Sequence, residues 1–530
     1  MILGSPQVGS RQSQALLGLV NAALRSGNVV YARQMLQDRI AQNPEDADAL
    51  DKLAEIAASE RSVEEATILL RRAMAIDPSV DRRMALIFHL KRTAPALALK
   101  ELEELPQATR DEMDVRALEA SVLGLLGMHD RQIHLYHAMA HQQPSRADLW
   151  VSLGNALKTV GRTDEAVKAL RRAIKAEPSS GGAYWTLANF KSFKFTPRDF
   201  GQMNAALRGR LSDSDALHIH FALGKALEDR GEYEQSFRHY AVGNALRARS
   251  FPPEQTRLTE NVDEAIAAFT PDFFKRNEGA GFPSEGPIFV VGLHRSGSTL
   301  IEQILASHSM VEGTAELTVM KNIRDRLARS AGKSAADAIV ALKPAELRAI
   351  GEEYLDRTRA FRHTDRPFFV DKMPGNWAHL ALIRAALPNA RIIDARRHPM
   401  ACGFSNFKQN YATGAGFSYS QETIGAFYRD YWRFMKHFEA VEPGVVCRMI
   451  NERLIENPEG EVRRMLDHLQ LPFEASCLEF HKNERAVRTP SAEQVRRPIN
   501  REGVDYWRHY EPWLGPLKRS LGPALDHWDD

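Results

Sequence analysis

Residues 286–300, GPIFVVGLHRSGSTL, are the stretch that most restricts the fold of this chain. Residues 288–291 are apolar and mostly β-branched or aromatic, which is typical of a central parallel strand. Gly292 and Gly297 let the backbone turn sharply and approach a ligand closely. Helical spacing of apolar residues starts at Leu300. A strand, a tight turn and a helix start predict an anion site, because the first N–H groups of a helix lack intrahelical partners.

The spacing of this loop is similar to the phosphate loop G-x-x-x-x-G-K-[ST], but Ser298 stands in the place of the lysine. Nucleoside triphosphatases use that lysine on the β- and γ-phosphates. We therefore expect a phosphate ligand without a γ-phosphate, and a P-loop kinase is disfavoured. A strand, turn and helix without any ligand is the alternative. Arg295 argues against it, because an arginine in a phosphate-sized turn suits bidentate anion binding.

The C-terminal half alternates strand and helix patterns. Further strands are predicted at 367–372, 390–397 and 444–450, with mostly helical sequence at about 315–362 and a helix at 376–387. This alternation predicts an α/β fold with a P-loop-like, doubly wound parallel sheet. Ligands of such sheets bind beyond the carboxyl ends of the strands. Arg295, Lys372 and Arg397 all lie at such ends, so the sequence places three cations on one edge.

The N-terminal half carries a 34-residue repeat. Pro44 and Pro78 are separated by this period, as are Pro144 and Pro178, and it is the period of tetratricopeptide repeats. The clearest repeat ends at Pro178 and has the expected residues at Trp150, Leu153, Gly154, Gly161, Ala166, Leu170 and Ala173. We predict about six or seven helical hairpins over residues 13–250, in an α-helical superhelix, with irregular repeats near 79–112 and 181–215.

The repeat array suggests a partner but does not identify one. Such superhelices present a concave groove that commonly binds extended peptides, so a protein or peptide ligand is expected there. Arrays also dimerise or act as scaffolds, and a homodimer therefore stays open. Residues 251–285 are rich in proline and glycine and are predicted to be a junction with a short helix near 262–269. The α/β domain then covers 286–530.

Composition excludes several classes of function. The formal net charge is only +2, which gives no reason to expect nucleic-acid binding. The three cysteines are far apart and show no metal-ligand spacing, so neither a metal site nor a disulfide framework is expected. No apolar run reaches the ~18 residues of a membrane span, and no signal-peptide pattern is present. These features predict a protein of the reducing cytoplasm.

Residues 290–300, with Arg397, His398, Pro399 and Ser405, resemble the sulfotransferase superfamily. These enzymes use 3′-phosphoadenosine 5′-phosphosulfate, abbreviated PAPS. The resemblance implies that the 3′-phosphate is held by Arg397 and by Ser405, eight residues later. It implies that the 5′-phosphosulfate is held by the loop residues Arg295, Ser296, Gly297, Ser298 and Thr299.

Within the superfamily, the chain is most similar to the tyrosylprotein sulfotransferases, which implies a protein tyrosine as acceptor. The similarity places the general base at Glu316, a catalytic cation at Lys372 and a donor-contacting hydroxyl at Ser491. Residues 506–507 and 511–513 are similar to the tail of bacterial members that carry such repeats. We therefore expect a bacterial enzyme whose array presents the acceptor.

Three positions depart from the family pattern. Thr318 replaces an arginine that reads acidic peptides, Gln409 replaces a basic contact, and Asn451 replaces a tyrosine near the adenine. The first change leaves the acceptor open, so a glycan or small alcohol is the alternative acceptor. A scaffold that binds nucleotide without catalysis is a further alternative, against which the presence of Glu316 and Lys372 argues.

Sulfuryl transfer requires in-line attack and stabilisation of charge on non-bridging oxygens, as phosphoryl transfer does. Arg295, Lys372 and the N–H groups of the loop can supply that stabilisation without a metal. Glu316 is the candidate base for a hydroxyl acceptor, although an acidic residue at this point can also simply open a helix. Glu312 is its nearest competitor and is expected at the surface. In the basic run 485–501, Arg497 is the favoured nucleotide contact.

Overall fold

The computed structural model describes residues 6–59, 63–190, 192–249, 258–411, 415–483, 485, 487, 489 and 494–530. The chain forms two compact units, Met1–Gln143 and Pro144–Asp530. The division falls within the predicted repeat array, so the second unit contains the last repeats together with the α/β domain. The domain limits given above follow sequence patterns and stay a prediction.

The first unit is helical. Its described helices are α1 Pro6–Arg25, α2 Val29–Gln42, α3 Ala47–Ser59, α4 Val63–Ile76, α5 Val80–Thr93, α6 Pro95–Glu103, α7 Gln107–Arg110, α8 Met113–Leu125 and α9 His129–Gln142. Consecutive helices pack as the pairs α1–α2, α3–α4, α5–α6 and α8–α9. The third pair is shortened at α6 and followed by the extra turn α7, which accounts for the irregular pattern near 79–112.

The second unit begins with six more helices. They are α10 Ala147–Thr159, α11 Thr163–Ala176, α12 Gly181–Ala188, α13 Pro197–Leu207, α14 Asp213–Glu228 and α15 Tyr233–Ala248. Helix α10 packs on α11 and α14 packs on α15, whereas α12 packs mainly on α14 rather than on α13. A Cβ atom on Gly154 would lie 2.7 Å from Leu170, and one on Gly224 would lie 2.6 Å from the Tyr240 ring. Glycine therefore permits close packing within these pairs. The described part of the array contains six packed helical hairpins, and the irregular repeat predicted at 181–215 has an eight-residue first helix.

The α/β part is built on a parallel sheet. Its five described strands are β1 Pro287–Gly292, β2 Val311–Ala315, β3 Phe368–Asp371, β4 Arg391–Arg396 and β5 Val446–Ile450, in the order β2-β3-β1-β4-β5. Ile288 and Val290 of β1 face one apolar core, while Phe289 and Val291 face another. The two cores confirm that the sheet is covered on both sides, as predicted.

Helices cover both faces of this sheet. They are α16 Leu258–Ala268, α17 Pro271–Arg276, α18 Ser298–Ala306, α19 Val319–Ala331, α20 Ala335–Val340, α21 Pro344–Thr358, α22 Leu380–Ala386, α23 Pro399–Phe407, α24 Gln421–Val441, α25 Asn451–Glu456, α26 Pro458–His468 and α27 Gly515–Leu521. The predicted helix 376–387 starts instead as the 3-10 helix Pro374–His379, before α22. No helix within the described residues has both the length and the apolar character that crossing a membrane requires.

Strand β2 was not predicted, because it has a weak apolar pattern. Its sequence is VEGTA, and its pairing with β3 shifts register between Gly313 and Ala315. The expectation that Glu312 lies at the surface was wrong. This side chain is buried, and its carboxylate accepts hydrogen bonds from the backbone N–H groups of His363 and Thr364. Glu312 thus anchors the segment before β3 and is not a competing base.

The last repeat pair packs directly on the α/β domain. Phe237 of α15 stacks on Phe407 with ring centroids 5.4 Å apart, and Asn244 donates a 2.7 Å hydrogen bond to the Phe407 carbonyl. Glu228 of α14 forms an ion pair with Lys408 at 2.9 Å. These contacts are buried and include charged groups, so α14 and α15 belong structurally to the domain that follows them.

Candidate active site

The loop after β1 has the backbone geometry of a tight anion-binding turn. A Cβ atom on Gly292 would lie 2.3 Å from the carbonyl oxygen of Ala395, so only glycine fits beside β4. Gly297 has φ of 99° and directly precedes α18. Arg295 has φ of 68°, a left-handed conformation that costs a non-glycine residue roughly 1–2 kcal/mol. Strain of this kind is concentrated at functional sites.

The start of α18 provides polar groups beside this turn. Ser296 holds the turn closed, because its hydroxyl donates a 2.7 Å hydrogen bond to the Leu293 carbonyl. Ser298 and Thr299 are the first residues of α18 and are buried. Helix N–H groups at this position have no intrahelical acceptor and carry the positive end of the helix dipole. The loop is therefore suited to an anion without a lysine at position 298.

Arg397 lies just beyond the carboxyl end of β4 and forms no ion pair with a carboxylate of the described residues. Its guanidinium donates to the Arg295 carbonyl at 3.1 Å and to the Gly503 carbonyl at 2.5 Å, while its Nε atom is buried without an acceptor. Burial lowers the pKa of Arg397. No ion pair to this side chain occurs among the described residues. A desolvated arginine with only carbonyl partners is well suited to receive an anionic ligand.

Ser405 contacts the loop after β1. It lies on α23, and its hydroxyl accepts a 3.0 Å hydrogen bond from Nε of Arg295. Asn406 fixes α23 beside the loop, since its side-chain amide donates a 2.8 Å hydrogen bond to the His294 carbonyl. The structure thus brings together Arg295, Arg397 and Ser405, which the sequence assigns to one nucleotide site.

Lys372 and Glu316 also meet. Lys372 is 1% exposed, and its ammonium group donates a hydrogen bond to the Glu316 carboxylate. Glu316 follows β2, and its side chain is 41% exposed, so one face of the carboxylate remains open to solvent. The candidate base and the candidate catalytic cation therefore form one unit, with the base on the accessible side.

A buried acid that the sequence motifs did not single out lies behind this pair. Glu302 on α18 is 1% exposed and lies 3.8 Å from the Lys372 ammonium, and it accepts a 2.5 Å hydrogen bond from Arg485. Arg485 passes over β2, where a Cβ atom on Gly313 would lie 2.0 Å from its guanidinium. The available signal was an acid within the apolar helical run 300–305. Glu302 holds Lys372 and Arg485 in place.

The remaining residues that the sequence singled out lie at the edge of this site or outside the described residues. Ser491, the proposed donor-contacting hydroxyl, lies outside the described residues. Arg497 is exposed on the segment after it. Asn451 lies against the loop, because a Cβ atom on Gly297 would be 2.7 Å from its side-chain oxygen. Thr318 directly precedes α19. No group of three or more metal-ligating side chains with suitable geometry occurs among the described residues.

An aromatic group borders the Glu316 side of the site. The His294 ring lies 5.4 Å from Tyr411 and 5.8 Å from Phe417, measured between ring centroids. Burial lowers the pKa of His294, while Glu316 opposes that shift electrostatically. Sequence analysis assigned no role to His294. Its position beside the candidate base makes it part of the surface that an acceptor would meet.

Comparison with protein families identifies two kinds of sequence in the chain. Residues 287–475 match the model of the sulfotransferase family. Residues 17–81 and 147–190 match models of the tetratricopeptide repeat. An uncharacterized protein of Aquifex aeolicus (strain VF5) is 28% identical over 541 residues, which covers 98% of this chain and 70% of that protein. That relative extends over both the repeats and the α/β domain.

Two solved structures are among those that resemble separate parts of the chain. The sulfotransferase domain from the Synechococcus PCC 7002 olefin synthase is 19% identical, covers 43% of this chain and 88% of its own, and gives a TM-score of 0.32. YrrB, a TPR protein with an unusual peptide-binding site, is 19% identical and covers 32% of this chain and 88% of its own. Its TM-score is 0.28. The family matches, taken with the parallel-sheet fold, show a helical part similar to tetratricopeptide repeats followed by an α/β part similar to the sulfotransferase family, and they support a sulfotransferase activity.

Proposed function

We propose that this protein transfers the sulfuryl group of PAPS to a hydroxyl acceptor, with a protein tyrosine as the favoured acceptor. The observation that carries the proposal is Arg397, a partly buried arginine whose acceptors among the described residues are carbonyl groups and which lies against a strained glycine loop. Together with Ser405 and the start of α18, it forms two adjacent anion sites. A nucleotide with phosphates on both sides of the ribose matches such a pair.

The chain's own residues fit the two ends of the donor. Arg397 and Ser405 would bind the 3′-phosphate, which supplies an anionic partner that Arg397 does not have among the described residues. Arg295, the Ser296 and Ser298 groups and the N–H groups of α18 would bind the 5′-phosphosulfate. The donor supplies the activated sulfuryl group when it is bound, and no metal is required where cations and helix N–H groups balance its charge.

Glu316 and Lys372 would have different roles in catalysis. The Glu316 carboxylate would accept the proton of the attacking hydroxyl, and its exposed face allows a bulky acceptor to reach it. Lys372 would stabilise charge on the transferred group and on the bridging oxygen that leaves. The present hydrogen bond between them must loosen as the acceptor hydroxyl arrives, which leaves Lys372 directed by Glu302.

An aromatic acceptor is favoured by the surroundings of Glu316. His294, Tyr411 and Phe417 present ring surfaces near the candidate base, and a phenol ring packs well on such surfaces. The repeat array suits delivery of a peptide segment, because grooves of such arrays bind extended chains. A glycan or small alcohol is the second acceptor class, and Thr318, uncharged where the resemblance has a peptide-reading arginine, is the observation that favours it.

Labelled PAPS tests the proposal directly. The full chain should transfer label to a tyrosine peptide or to a simple phenol, and peptide, glycan and phenol panels would separate the acceptor classes. Calorimetric titration should show tighter binding of adenosine 3′,5′-bisphosphate than of ATP. Equal or tighter binding of ATP, accompanied by hydrolysis, would contradict a sulfotransferase. Tight bisphosphate binding without transfer to any acceptor would favour the nucleotide-binding scaffold.

Arg397→Ala is expected to weaken binding of adenosine 3′,5′-bisphosphate by about ten- to one-hundredfold, the scale of a charge-assisted hydrogen bond of about 1.5–3 kcal/mol. Calorimetry on the folded full-length variant measures this loss. Arg329→Ala is the matched control, because Arg329 is exposed in the last turn of α19. Unchanged affinity in the Arg397 variant would place the 3′-phosphate elsewhere.

A further inference from the structure

A small cavity lies where the repeats meet the candidate donor site. Its volume is about 30 Å³, which accommodates roughly one water molecule. Arg295, Ser405 and Gln409 line it from the sulfotransferase domain, while Asn189 and Lys225 line it from repeat helices. The repeats therefore form one wall of the space next to Arg295 and Ser405. The remaining lining includes the ammonium-bearing side chain of Lys408.

Three cationic side chains line this cavity. Lys408 pairs with Glu228 at 2.9 Å. Lys225 and Lys194 share the single carboxylate of Asp229, at 2.5 Å and 2.6 Å. Of these lysines, Lys225 and Lys408 line the cavity together with Arg295, whereas Lys194 is exposed and lies outside it.

The positively charged side chains around the cavity repel one another. Burial lowers the pKa of Lys408, Glu228 opposes that effect, and Lys225 and Arg295 lower the pKa further by repulsion. Lys225 is 9% exposed, so solvent screens this repulsion only weakly. An anion among these cations would relieve the repulsion and gain several charge-assisted hydrogen bonds.

We propose that Lys225 of helix α14 binds the 3′-phosphate of the donor nucleotide, so that the repeat array supplies part of the donor site. This inference rests on the proposed function. The phosphate would replace the hydrogen bond between Arg295 and Ser405, which both line the cavity, and would turn both side chains towards the ligand. Gln409 lines the cavity without a charge, at the position where the resemblance has a basic residue. Lys225 supplies that missing charge from another part of the chain.

The proposal changes the role expected of the array. A groove that only presents an acceptor would leave donor binding to the sulfotransferase domain alone. A lysine of α14 on the 3′-phosphate instead makes the donor site incomplete without the last repeat pair. The buried contacts of α14 and α15 with that domain keep Lys225 fixed relative to Ser405.

Calorimetry with two nucleotides tests this role in the full-length protein. Lys225→Gln should weaken binding of adenosine 3′,5′-bisphosphate by about tenfold, the lower end for a charge-assisted contact, because Asp229 and Lys194 remain nearby. Binding of adenosine 5′-phosphate, which lacks the 3′-phosphate, should be unchanged. Lys225→Arg keeps the charge and should retain most of the affinity. Lys175→Gln is the matched control, since Lys175 is an exposed lysine on α11.

Each other outcome overturns the inference. Unchanged bisphosphate affinity in Lys225→Gln would show that α14 does not contact the ligand. An equal loss for both nucleotides would exclude a contact specific to the 3′-phosphate. A wild-type protein that binds neither nucleotide would overturn the proposed function as well, so the two failures are distinguishable. Thermal unfolding of the ligand-free variants checks that they are folded. If the Lys225→Gln variant is not folded, the nucleotide affinities of the Lys225→Arg variant are compared with those of the wild type instead.

Discussion

Glu316→Gln is expected to lower kcat by about 100-fold or more and to leave the affinity for adenosine 3′,5′-bisphosphate close to that of the wild type. Glutamine keeps the shape of the side chain but cannot accept the proton of the attacking hydroxyl, and loss of a general base has effects of this size. Donor affinity should persist, because Arg397, Ser405 and the loop do not depend on Glu316 for their hydrogen bonds. Single-turnover transfer of labelled sulfuryl groups to a phenol measures the chemical step.

Glu352→Gln provides the matched control for this experiment. Glu352 lies on α21 with 50% of its side chain exposed, and it forms only a long surface pair with Arg348 at 3.4 Å. Its replacement should change neither kcat nor nucleotide affinity. Wild-type turnover in the Glu316→Gln variant would mean that another group accepts the proton. His294 would then be the first residue to test, because its ring lies in the same part of the site.

The loop after β1 was predictable because its determinants are local. Gly292 and Gly297 occupy backbone conformations that side chains disfavour, and Arg295 is within the same few residues. The eight-residue spacing of Arg397 and Ser405 likewise lies within one strand end and the following helix. The sequence therefore predicted the two halves of the candidate donor site, and the parallel sheet explains why they meet at one edge.

The network behind Lys372 could not be predicted in the same way. Glu302 and Arg485 are separated by 183 positions in sequence and form an ion pair only after α18 and the segment after residue 483 pack together. Strand β2 is similar, because its residues have little apolar pattern and its pairing depends on β3. Local propensity carries no information about such contacts, which tertiary packing determines.

The contacts between the repeats and the α/β domain could not be predicted from local sequence either. The repeat pattern ends near residue 250, which suggests a boundary there between two independent domains. In the structure, however, Ser236 and Tyr510 form a buried hydrogen bond of 2.9 Å, and Tyr240 and Tyr510 both donate to Glu228. A fragment that began after the array would expose these partners, so it is unsuited to measuring the array's contribution to catalysis.

Glu228→Ala should therefore lower the free energy of unfolding of the second unit by about 3–5 kcal/mol. The substitution leaves the Lys408 ammonium in a largely buried interface without its carboxylate, and breaking a buried pair from one side has costs of this size. It also leaves the hydroxyl groups of Tyr240 and Tyr510 without their common acceptor. Denaturant unfolding followed by tryptophan fluorescence measures the change, because Trp513 stacks on Phe237 across the same interface.

Two comparison variants separate this effect from a general loss of charge on the array. Glu234→Ala removes an exposed acid of α15 whose pair with Arg238 is solvent-screened, so the expected loss is below about 1 kcal/mol. The double variant Glu228→Ala with Lys408→Met should regain part of the stability lost in Glu228→Ala, because it removes the buried charge that the single substitution leaves. If Glu228→Ala were as stable as Glu234→Ala, the last repeat pair would contribute little to the fold of the domain. A large loss with recovery in the double variant would instead mean that α14 and α15 stabilise the domain whose candidate donor site they border.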